Sequence, residues 1–175
     1  MMSMVYIFWM FVFLFAIIGA MRGWAKELLV SFSVVTALAV TLLLEKYIPI
    51  VRDLDKSSSS VFWVRTLILI SLVYFGYQTV SIARFSSKAA RERLQDSLFG
   101  AVLGGFNGYL IAGSLLYYYY VANYPYPQVI SAPTDPAVMQ AIDTMMRYMP
   151  PRFLGEPAIY FAVIIILIFI IVVYI

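Results

Sequence analysis

Five apolar blocks separated by polar connections set the pattern of this chain. The first, Val5 to Met21, carries no charge, and at ~1.5 Å per residue it reaches about 26 Å, enough for a helix to cross a hydrocarbon core. The others run from Leu28 to Leu44, Val61 to Ala83, Leu98 to Val121 and Ala158 to Ile175. Each approaches or exceeds the roughly 17–25 residues that a membrane helix needs. The first block reads poorly as a signal peptide, because MMSM offers no basic region and Arg22 stands where a small-residue cleavage site would be.

The connections are equally specific. Arg22-Gly23-Trp24-Ala25-Lys26-Glu27 is a short polar link that predicts a tight helical hairpin. Pro49, Asp53, Asp55, Lys56 and the Ser57 to Ser60 run form a solvent loop. Arg65, near the start of the third block, is expected to bury its methylenes and lift its guanidinium to the interface. A basic stretch with Arg84, Lys88, Arg91 and Arg93, against Glu92 and Asp96, precedes the fourth block, which closes on an aromatic belt, Tyr117 to Tyr120.

From Ala122 to Pro157 the chain is polar and rich in proline, and one helix is predicted inside it. Asp135 suits the N-cap and Pro136 the first helical position, while Val138, Met139, Ile142, Met145, Met146 and Met149 share a face. That helix either lies in the interface plane or docks on the bundle. The prediction is an all-α integral membrane protein, a bundle of about five transmembrane helices plus one amphipathic interfacial helix. Its regions are a four-helix membrane core (1–121), an extracytoplasmic proline-rich segment (122–157) and a fifth span (158–175). The rival is four spans with a buried or interfacial tail. An apolar end without polar flank suits a piece of a longer protein.

Composition confirms lipid as the solvent, since 63% of residues are hydrophobic and only 12% charged. The absence of Cys and His removes thiolate sites, haem ligation and the ordinary general base, so neither cofactor, metal nor enzyme activity is expected. The net charge of +3 is too small to suggest nucleic acid. With five spans, Arg22, Lys26, Arg84, Lys88, Arg91 and Arg93 share one side with three acidic residues, while the other side is neutral. Lys and Arg counts tie, but the first side packs its cations into two short connections, which places the N-terminus outside and the C-terminus in the cytoplasm.

Small residues mark the packing surface. Gly100, Gly104, Gly108 and Ala112 follow one another at i+4, with Gly105 and Gly113 beside them, a spacing that allows helix backbones to touch in lipid. Contact within the chain is the expected use and dimerisation the alternative. Asn107 should face protein, either for an interhelical hydrogen bond or to line a polar passage with Gln78, Ser31, Ser33 and Thr36. No acidic residue, Lys or Arg is expected deep in a span. The stretch Arg84 to Arg93 suits anchoring on anionic lipid, and the Met face suits either membrane or an adaptable partner.

Two segments, Arg22-Gly23-Trp24-Ala25-Lys26-Glu27-Leu28-Leu29 and Asp96-x3-Gly100-x3-Gly104-x2-Asn107-Gly108, resemble the motifs of the colicin V production protein family. The resemblance covers roughly residues 5 to 121. It implies a bacterial inner-membrane protein linked to colicin export and envelope physiology. Asn107 stands where that family has an arginine, Ser97 follows the aspartate, and Val5 and Tyr6 occupy the region of a usual acid. If that arginine and acid form a pair, their joint loss is coherent. Three roles follow as expectations: a non-enzymatic protein acting by contact in secretion or envelope physiology; an accessory subunit of a larger, energy-transducing membrane complex; or a small-solute pore. The expected partners are lipid and other membrane subunits or a second copy.

Overall fold

The computed structural model describes residues 4–78 and 90–174, the side chains of 90, 91 and 174 excepted. Among them run α1 (Met4–Arg22), α2 (Trp24–Tyr47), α3 (Pro49–Arg52), α4 (Ser59–Tyr77), α5 (Ala90–Val121), α6 (Pro136–Arg147), α7 (Pro150–Phe153) and α8 (Ala158–Tyr174). α1, α2, α4 and α5 are long and apolar enough to cross a membrane. The expected fifth span, α8, has 17 residues. It nevertheless follows the height of α2, with Lys46 Nζ 2.7 Å from Glu156 Oε2 at one end and Phe169 beside Trp24 and Leu28 at the other.

α5 is the shared strut. Gly19 of α1 lies against Gly100, Phe15 against Gly104 and Val12 against Gly108, so α1 runs antiparallel to α5. α2 runs with α5, and α4 packs against both in the opposite sense, with Gly76 on Val30 and Phe62 on Tyr119. The main core joins Val30, Val34 and Leu38 of α2 to Leu69 of α4, Leu110 and Ile111 of α5 and Ile159 of α8. In lipid these contacts contribute through close packing rather than through escape from water.

Local signals explain the ends. Ser58 Oγ accepts from the Val61 N–H at 3.3 Å and starts α4. The Asp135 carboxylate accepts from Ala137 N–H at 2.7 Å ahead of Pro136, which starts α6. α6 is docked: Ile142 and Met146, with Met149 just beyond it, bury against Met4 and Phe8 of α1 and Ala112, Leu116 and Tyr119 of α5. Met145 is half-buried, and Met139 remains exposed.

Arg65 departs from expectation. It is buried rather than lifted to the interface, and its Nε and Nη2 fork onto Glu45 Oε1 and Oε2 at 2.6 and 3.0 Å. Its guanidinium also lies 5.6 Å from the Tyr118 ring centroid. The reason is register: Val61, Arg65 and Leu69 form one buried i+4 stripe on α4, and Glu45 on α2 supplies the charge that makes burial tolerable.

Candidate functional site: the α1–α2–α5 corner

A single residue joins α1 to α2. Gly23 has φ 87 and ψ 156, a region open essentially to glycine alone, where an L side chain costs about 1–3 kcal/mol. A Cβ there would also land 2.6 Å from an Asp96 carboxylate oxygen. That carboxylate accepts the Trp24 N–H at 3.3 Å and so caps α2 from another helix, at the end where the helix dipole favours negative charge. The Ser97 hydroxyl donates to the Ala20 carbonyl at 2.9 Å and closes the corner from the other side.

One turn into α2, Glu27 is fully enclosed. Its Oε1 is 2.9 Å from Arg22 Nε, a charge contact not aligned as a hydrogen bond. The Asn107 amide donates from Nδ2 to Glu27 Oε2 and to the Glu27 carbonyl, both at 2.9 Å, and the Ser31 hydroxyl donates to Asn107 Oδ1 at 2.6 Å. Arg22 completes its environment on α4, donating from Nη1 to the Tyr77 carbonyl at 3.2 Å and stacking 4.5 Å from the Tyr77 ring centroid. A carboxylate, a guanidinium, an amide and a hydroxyl thus lock four spans at one level.

This arrangement corrects two expectations. The Arg22 to Glu27 connection does not lie wholly in water, because the reversal takes one residue and Glu27 is drawn inside; a buried acid is therefore present in a span. Residue 107 is also not the partner of residues 5 and 6. α1 presents Phe11 and Val12 beside Gly108, leaving Val5 and Tyr6 more than a turn further on, and the amide turns to Glu27 on α2. The explanation by joint loss of an arginine and an acid at those positions falls.

The glycine series faces α1. A Cβ at Gly104 would fall on the Phe15 carbonyl and within 2.8 Å of the Gly19 Cα, and one at Gly108 would sit 3.0 Å from the Val12 Cα. Gly105 has only the Ala16 Cβ nearby, at 3.5 Å, and Gly113 instead admits Met149 and Pro150. Ala112 meets the α1–α6 cluster. Arg84 and Lys88, and the side chain of Arg91, lie outside the described residues; Arg93 is exposed on the first turn of α5, and Lys26 is half-exposed.

The corner therefore assembles Arg22, Gly23 and Glu27 with Asp96, Gly100, Gly104 and Asn107, two segments far apart in the chain. Residues 6–147 match the colicin V production protein family. The chain belongs to that family. The family match continues past residue 121 to the end of α6, so the first part of the proline-rich segment belongs to the family region, and the rest of that segment with α7, and then α8, follow it. This is not a known enzyme family. No curated protein and no solved structure matches the chain.

Tyr77 belongs to the corner although sequence reasoning left it out, and Ser31, expected only as a lining residue of a polar passage beside Asn107, is instead a hydrogen-bond partner of that amide. A signal existed for Ser31: Glu27 and Ser31 stand four apart and continue into buried Val34, Val35 and Leu38, which is the inner face of α2. Among the described residues no group of three or more His, Cys, Asp or Glu converges as a metal site would require.

Proposed function

We propose that this family member is a non-enzymatic membrane protein that acts through protein contacts in a secretion or envelope process. The observation that supports it is the use to which the motif residues are put. Arg22, Gly23, Glu27, Asp96 and Asn107 spend their charge and hydrogen bonding on one another and on the α1–α2–α5 crossing, leaving the apolar and aromatic flanks for lipid or partners. A pump or ion-coupled carrier would instead keep an intramembrane charge accessible to a pathway.

The reading places the protein in the bacterial inner membrane, with the N-terminus outside, the C-terminus cytoplasmic and α8 as a fifth span. A cysteine introduced in the Ser57 to Ser60 run should then react with an impermeant thiol reagent added to intact cells, and protection there would invert the orientation. Purification in mild detergent followed by sizing and mass spectrometry tests the mode of action. Other subunits at fixed stoichiometry would show contact within a larger complex, and a lone assembly carrying solute across liposomes would replace this reading with a pore.

A further inference from the structure

At the opposite end of the bundle from the corner, α2, α4, α5 and α7 enclose a cavity of about 350 Å³. Its inner wall is apolar, with Leu38, Leu42 and Leu154, and its rim carries Tyr117, the Glu45–Arg65 fork, Lys56 and Arg152. Glu45 neutralises Arg65 through two hydrogen bonds. Lys56 and Arg152 have no such relief: among the described residues neither makes an ion pair or a side-chain hydrogen bond, and the same is true of Arg147 in the adjoining hollow. In that hollow Asp143 accepts from the Tyr120 hydroxyl at 2.7 Å. The combined recess thus holds Lys56, Arg65, Arg147 and Arg152 against Glu45 and Asp143, an excess of two positive charges beside an apolar wall.

We propose that this recess is a binding site for a phosphate-bearing anion, with Lys56 and Arg152 as its charge partners. A buried, already compensated Arg65 fixes the floor, while the two uncompensated cations stand where a ligand can take them up as charge-assisted hydrogen bonds. The volume falls at the small end of ligand sites. Its place at the ends of α2 and α5, beside the tyrosine belt, puts charge and apolar wall together as an anionic lipid headgroup requires, and a soluble phosphate would use the same cations. The site stands independently of the contact-based role, since none of its residues belongs to the corner.

The full chain, stripped of lipid in mild detergent, is titrated with phosphatidylglycerol and with phosphatidylcholine and read by native mass spectrometry. A parallel thermal-shift titration uses inorganic phosphate against chloride at equal ionic strength. Expected is at least tenfold tighter retention of phosphatidylglycerol than of phosphatidylcholine, reduced at least fivefold in the Lys56→Gln/Arg152→Gln double variant. Arg52→Gln, which removes a cation from the same side but outside the recess, should leave it unchanged. Saturable stabilisation by inorganic phosphate, lost in the double variant, without preference for phosphatidylglycerol would uphold the site and assign it to a soluble anion. Equal retention of both lipids with no response to phosphate, or binding of either anion that is unaltered in the double variant, overturns the proposal.

Discussion

Removing the positive charge of the Arg22–Glu27 pair alone should hurt more than removing both charges. Breaking a buried pair by deleting one partner costs about 3–5 kcal/mol when the survivor is sealed from water. The two survivors here differ, because the Arg22 side chain is 23% exposed and that of Glu27 0%. In Glu27→Gln the stranded guanidinium, whose Nε and Nη2 are buried, keeps the Tyr77 carbonyl and the Tyr77 ring, and the new amide oxygen can still accept from Asn107. Its cost should be about 1–2 kcal/mol, below the sealed case because the side chain is not fully enclosed and its partners on α4 remain. Arg22→Gln strands an enclosed carboxylate and should cost about 3 kcal/mol. At roughly 2–4 °C per kcal/mol for a chain of this size, the arginine variant should melt about 6–12 °C below the parent. The double variant strands nothing, so it should resemble Glu27→Gln, with a coupling of about 2–3 kcal/mol in the cycle. Thermal unfolding of the four purified proteins in one detergent measures each term. If the double variant loses the sum of the single losses to within about 0.5 kcal/mol, the two residues do not act as a pair and the account of the corner is wrong.

Three further outcomes probe other parts of the structure. Gly104→Ala should destabilise, because its Cβ meets the backbone of α1. Gly105→Ala, which meets only a methyl at 3.5 Å, should be neutral or gain up to about 1 kcal/mol of helix propensity; equal behaviour in thermal unfolding would deny the α1–α5 seam. Gly23→Ala should lose about 1–3 kcal/mol from backbone strain and more from the Asp96 contact. Adding Asp96→Ala should therefore recover part of the loss in Tm, and a purely additive loss would place Asp96 elsewhere. Met146→Ala, at a side chain 3% exposed, should cost about 2–5 kcal/mol locally and release α6, read as faster proteolysis between residues 122 and 149. Unchanged cleavage would mean that α6 is held by something other than its apolar face.

The spans were readable because lipid imposes one demand, a long apolar helix, and the runs of the sequence state it directly. The glycine spacing at 100, 104 and 108 was readable for a similar reason, since backbone approach requires small residues at i+4. Burial of charge was not. Glu27 follows Arg22 and Lys26 next to a turn, which is the composition of a solvated link, and only the inward stripe through Ser31 and Val34 distinguishes it. Arg65 was misread for the same cause: its position near a helix end suggested exposure, while the stripe through Val61 and Leu69 determined its direction. The partner of Asn107 lies eighty residues away. No local pattern carries that distance, because it depends on how α1 and α2 bend around α5.

The one-residue corner also orders events during synthesis. Arg22 and Glu27 are near neighbours in the chain, so their charges can meet as soon as the first two helices exist. The surfaces that α1 needs for its glycine seam, and the Asp96 and Asn107 groups that cap and complete the corner, emerge only with α5. Until then the hairpin waits in the bilayer with Gly19 facing lipid and the Glu27 carboxylate neutralised from one side only. The arrival of α5 is thus the step that seats α1 against the α2–α4 pair already made, and a chain interrupted before Asp96 would hold its first spans in the membrane without ever closing the corner.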